Sequence, residues 1–90
     1  MTEDIRKWVA TYNEDALLAD GFEDAFIGVA ERCSRPTLAV YDAERCIGIL
    51  MARDGMTEEG AVEFFNFNTL GAWGGEHTPL FLWRYVRTLP

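Results

Sequence analysis

The chain has 90 residues, 15 of them acidic and 8 basic, for a formal net charge of −7. An apolar share of 49% excludes intrinsic disorder, and the length leaves room for one ordinary domain with a modest core. An isoelectric point near 4.5 argues against binding nucleic-acid phosphates or an anionic membrane, and favours a basic partner or simple solubility.

The charge lies in blocks. Between Trp8 and Glu31 there are six acids and no Lys or Arg; between Asp54 and Trp83 there are five acids and again none. The stretch between these tracts carries four Arg against Asp42 and Glu44. No repeat, linker or low-complexity segment interrupts residues 1–90, so a single compact domain is expected. The acidic start, Thr2-Glu3-Asp4, is unlike the basic opening of a secretion signal, and apolar runs are short. With Cys33 and Cys46 outside any C-x-x-C, two reduced thiols and a cytoplasmic location are expected.

The first element is a helix over 3–18, with Ile5, Trp8, Val9 and Tyr12 at helical spacing and an interruption at Asn13. A second helix is expected over 22–33. There Phe22, Ala25, Phe26, Val29, Ala30 and Cys33 step by three and four, with Glu23 and Asp24 in the first turn. Pro36 forbids further helix, and Thr37–Tyr41 is rich in strand formers. Asp42 is a good N-cap for a helix over 43–53, ended by Gly55 in the left-handed conformation. Thr57 caps the next helix, with Glu58 and Glu59 in its first turn. Ala61, Val62, Phe65 and Thr69 share one side, and Phe64 and Phe67 an adjoining one, an apolar arc too wide for one face. The glycine-rich stretch 71–75 breaks this helix, and 80–85 reads as a strand after Pro79. The expected fold is α+β, in the order α-α-β-α-α-β. Helices pack on a two-stranded sheet of 37–41 and 80–85, each strand being too short to stand alone.

No catalytic constellation emerges. Glu14/Asp15, Glu23/Asp24 and Glu58/Glu59 are neighbours in sequence, so on a helix they splay ~100° apart instead of converging on a substrate. Cys33, Cys46 and His77 lack the close ligand pairs of a zinc site. No G-x-S-x-G surrounds Ser34, and no Lys-Ser/Thr follows the glycines of 71–75. The expectation is a non-enzymatic protein with no cofactor and no metal.

One stretch is distinctive as a pattern. It runs Tyr41-Asp42, Arg45-Cys46, Leu50-Met51, Arg53-Asp54-Gly55-Met56-Thr57, Glu63-Phe64-Phe65, Phe67-Asn68, Gly71-Ala72-Trp73, Glu76 and Thr78-Pro79. It resembles a family of short proteins of bacteria, phages and prophages with the pattern YDxxxCxxxLMxRDGM…EFFxFNxxGAWxGExTP. The resemblance covers residues 22–82 and departs at Gly60, where a helix former is expected. It implies a bacterial or phage setting and a scaffold, with no reaction attached. In size, charge and setting the chain is also similar to anti-CRISPR and related anti-defence proteins, many of which occupy the basic nucleic-acid channel of a defence complex.

Two features then carry the functional expectation. The acids Asp20, Glu23, Asp24 and Glu31, or alternatively Glu58, Glu59 and Glu63, would face a basic protein surface. Phe64, Phe67 and Trp73 would serve as aromatic anchors. Four acids along a helix of residues 20–31 spread over ~17 Å, against one charge per ~1.7 Å of duplex DNA, so steering is favoured over phosphate mimicry. The expected activity is inhibition of a host defence complex, such as a CRISPR–Cas effector, by blocking its DNA binding. The alternative is a small cytosolic interaction module, monomeric or homodimeric through a strand edge or the aromatic face.

Overall fold

The computed structural model describes residues 2–87. Its elements are α1 (Thr2–Ala10), β1 (Phe26–Ala30), β2 (Leu38–Asp42), α2 (Ala43–Asp54), α3 (Glu58–Phe64) and β3 (Leu80–Leu82). A short 3₁₀ turn, Glu23–Ala25, precedes β1, and a π-helical turn, Phe65–Leu70, prolongs α3. The class is α+β. The sheet has three strands in the order β1-β2-β3, with β1 antiparallel and β3 parallel to the central β2.

The expected helix over 22–33 is therefore a turn followed by a strand, and the element order is α-β-β-α-α-β. The reason lies at Gly28, whose φ of 151° is closed to a helix. The ladder shifts register between Phe26 and Gly28, so Ile27 is an extra, bulged residue. Phe26 opposes Tyr41 and Val29 opposes Ala39, which places both on the inner face. The bulge spaces these inward residues by three positions instead of two, and so imitates helical periodicity.

The first helix also stops early, at Ala10. Asn13 explains the interruption. Its Nδ2 donates to the Thr37 carbonyl at 2.8 Å and to His77 Nδ1 at 3.0 Å, and its Oδ1 accepts from the Asp15 amide at 3.0 Å. These bonds hold the chain out of helix and tie it to the segments that lead into the parallel strands β2 and β3, at one end of the sheet. At the far end, β3 covers 80–82 instead of 80–85. Its ladder pairs Val40 with Leu80, Tyr41 with Phe81 and Asp42 with Leu82. Beyond Asp42 its partner has become α2, so nothing remains to pair with.

The caps stand where the side chains require. The Asp42 carboxylate accepts from the Arg45 amide at 3.1 Å, and Gly55 closes α2 at φ 66°. Thr57 Oγ1 accepts from the Gly60 amide at 3.1 Å. A Cβ at Gly60 would lie 3.2 Å from that same oxygen, so glycine gives the cap room that a larger helix former would crowd.

The core lies between the inner sheet face and the helices. Ala39, Tyr41, Ala43, Cys46, Leu50, Ala61 and Phe65 are all buried there, with Phe22 and Ala25 from the turn before β1. The aromatics meet edge to face: Phe26 and Tyr41 centroids are 5.6 Å apart, Phe65 and Phe81 5.2 Å. The Tyr41 hydroxyl accepts from the Ala19 amide at 2.9 Å, and burial holds it above the usual tyrosine range. Tyr41→Phe is expected to leave that amide unpaired at a cost of ~1–3 kcal/mol, loosening residues 16–20. Faster amide exchange confined to that segment, with a lowered denaturation midpoint, is the readout.

The two cysteines differ. Cys33 is exposed in the β1–β2 connection, whereas Cys46 is buried in α2. Burial, aided by the Asp42 charge, pushes the Cys46 thiol up to about 12. A thiol reagent at neutral pH is expected to label Cys33 alone on the native protein, and Cys46 only after denaturation. Rapid native labelling of Cys46 would show that α2 opens from the core.

Candidate protein-binding face

The chain runs from the Thr57 cap into α3 with Glu58 and Glu59 beside the positive end of the helix. Glu63 follows Glu59 by one turn and lies on the same side. Ala61 and Phe65 point the other way and are fully buried. The π-helical winding after Phe64 then sets the outer aromatics apart from the inner one. Phe65 is 0% exposed, while Phe64 is 39% and Phe67 77% exposed.

The outer residues share one surface. A shallow groove of about 760 Å³ runs along Thr57, Glu58, Glu59, Gly60, Val62, Glu63, Asn66 and Phe67. A second hollow of about 300 Å³ adjoins it at Met56, Phe64 and Asn68. Among the described residues, none of Glu58, Glu59 and Glu63 has a cation within 4.0 Å. Three free carboxylates thus flank two exposed phenyl rings, so the arrangement offers both charge and apolar contact to a partner.

The first acidic tract is not brought together in this way. Asp20, Glu23, Asp24 and Glu31 do not share a helix. Asp20 precedes the 3₁₀ turn and lies 4.0 Å from Arg6. Glu23 Oε1 accepts from the Thr2 hydroxyl at 2.8 Å, a bond that holds its carboxyl below the ordinary value. Asp24 lines a hollow with Arg53. Glu31 follows β1 at the other end of that strand, next to Arg32. Trp73 is 79% exposed but stands in the loop before β3, away from the α3 groove.

His77 and Arg53 are engaged locally. His77 Nδ1 accepts from Asn13, and its Nε2 lies 3.8 Å from Glu76. Arg53 donates through Nε and Nη2 to the Asp54 carboxylate at 3.1 and 3.0 Å, and through Nη1 to the Gly21 carbonyl at 2.9 Å. Its guanidinium also lies over the Phe22 ring, 5.6 Å from the centroid. Among the described residues no three His, Cys, Asp or Glu side chains converge as a metal site, and no helix is long and apolar enough to cross a membrane.

Two surfaces were not legible in the sequence. One is a mainly apolar groove of about 390 Å³ between residues 17–22 and 68–74, floored by Phe22 and Phe81. The other is the outer face of the sheet, hidden because 22–33 imitates a helix.

Compared with known proteins, the chain matches no family model, no curated protein and no solved structure. Function therefore rests on the surface itself.

Proposed function

We propose that this chain is a non-enzymatic acidic binding protein whose α3 face docks on a basic surface of a partner protein. The supporting observation is the joint presentation of Glu58, Glu59 and Glu63 beside Phe64 and Phe67, with no cation partner for the three acids among the described residues. Carboxylates of this kind steer association and fix orientation, while exposed rings supply buried area. Nucleic-acid-binding complexes carry basic surfaces of the required sign. The finer reading is an inhibitor of the anti-CRISPR type, which holds such a surface against target DNA. Its support is the acidic net charge together with the resemblance of 22–82 to short phage and bacterial proteins.

The test is retention from bacterial lysate on the immobilised protein, at low and at high salt, with mass spectrometry of what is held. A DNA-binding complex retained at low salt and released at high salt is expected. The purified chain should then compete with target DNA for that complex. Retention with no effect on DNA binding would leave a binding protein without the inhibitory role.

A further inference from the structure

Among the described residues the inner sheet face is buried, whereas the outer face is covered only in part, Leu38 and Val40 being half-buried. The outer face carries Leu38, Val40, Leu80 and Leu82, none of which belongs to the buried core; Leu80 is 47% and Leu82 46% exposed. Val40 lies between Leu80 and Gly28, which has no side chain to cover it. At one end of this strip Arg84 donates to the Asp42 carboxylate at 3.2 Å. At the other end an apolar hollow of about 340 Å³, walled by Pro36, Leu38, Trp73 and Leu80, is rimmed by Glu31, Arg32, Arg35 and Glu76. Neither Arg32 nor Arg35 has a carboxylate within 4.0 Å among the described residues.

The face is therefore neutral on a chain of net charge −7. Two copies of an acidic chain repel wherever their acidic tracts meet, and least where positive and negative charges balance. A rim of both signs also suits a two-fold axis, since Arg32 and Arg35 of one copy can face Glu31 and Glu76 of the other, and reciprocally. A partner of single charge would leave one sign of this rim buried and unpaired. The strand edges are poorer docking lines: β1 is bulged and β3 has three residues.

We infer that two copies of this chain associate through the outer faces of their sheets, with the rim charges paired across a two-fold axis. Since α3 packs on the inner face, the inference stands apart from the reading of the acidic surface. Three strands ~4.8 Å apart make a narrow interface of the weak, transient class, with a dissociation constant of ~10–100 μM.

Sedimentation velocity from ~5 to ~500 μM brackets that value. The expected result is a shift from 10.2 kDa toward twice that mass. Leu80→Lys should hold the protein monomeric throughout with its circular dichroism unchanged, because the side chain is already half exposed. Arg32→Glu/Arg35→Glu and Glu31→Arg/Glu76→Arg should each stay monomeric alone and dimerise when mixed. A monomer at every concentration of the unaltered chain would overturn the inference. So would a dimer that survives Leu80→Lys but is lost in Phe67→Lys. Failure of the mixed variants to pair would overturn the two-fold arrangement of the rim.

Discussion

Phe65→Ala is expected to remove ~3–5 kcal/mol of stability, while Phe67→Ala two residues away changes it by less than ~0.5 kcal/mol. Phe65 is fully buried and packs edge-on to Phe81 at 5.2 Å and to Trp83 at 6.0 Å. Truncating such a ring costs ~3–5 kcal/mol, as lost transfer energy and an unfilled cavity. A chain of 90 residues has on the order of 5–13 kcal/mol of stability in all. The midpoint should fall by at least ~12 °C, at ~4–8 °C for each kcal/mol. Phe67 is 77% exposed and has little transfer energy to lose. Thermal and urea unfolding of the two variants would check this. Equal losses would mean that the π-helical turn does not seat Phe65 in the core.

The second large effect concerns binding. Glu63→Lys combined with Phe67→Ser should weaken capture of the partner by at least ~30-fold, the equivalent of ~2 kcal/mol for one broken interfacial charge pair. Glu63 is the better choice for reversal, because Glu58 and Glu59 also support the helix end at ~0.3–1 kcal/mol each. Asp20→Lys with Asp24→Lys serves as the contrast. These two acids change the net charge by more but lie off the α3 groove, so they should slow association slightly and leave the dissociation rate unchanged. Titration of the captured complex at low salt measures both variants. Loss of binding with the second pair and not the first would transfer the site to the loop before β1.

Local chemistry was readable where a side chain and its own neighbours decide the outcome. The Asp42 and Thr57 caps and the left-handed Gly55 stand where their residue types require, because each acts on backbone within four positions. The pairing of the strand after Pro36 with the strand after Pro79 was readable too, since neither short apolar run has another place to hide. The helix assigned to 22–33 failed for a physical reason. A bulge at Ile27 turns a period of two into a step of three, and apolar spacing alone does not separate that from a helix. With that helix went the shared row of Asp20, Glu23, Asp24 and Glu31.

The candidate site divides in the same way. Glu58, Glu59, Glu63, Phe64 and Phe67 lie within ten residues on one continuous winding, so their common surface follows from helical geometry. Trp73 lies among the glycines of 71–75, where no local rule places it, and the structure sets it beside Leu38 and Leu80.

By itself, then, the sequence determined the α+β class, the caps, the net charge of −7 and the acidic stretch that opens α3. These depend on composition and on interactions within a turn or two of chain. Only the tertiary structure decided that β1 is a strand, that Phe65 is inside while Phe67 is outside, and that the outer sheet face leaves Leu80 and Leu82 half exposed. Each of those outcomes depends on which distant segment packs against a residue, and a bulge, a π-turn and a three-residue strand settle that by geometry no local pattern records.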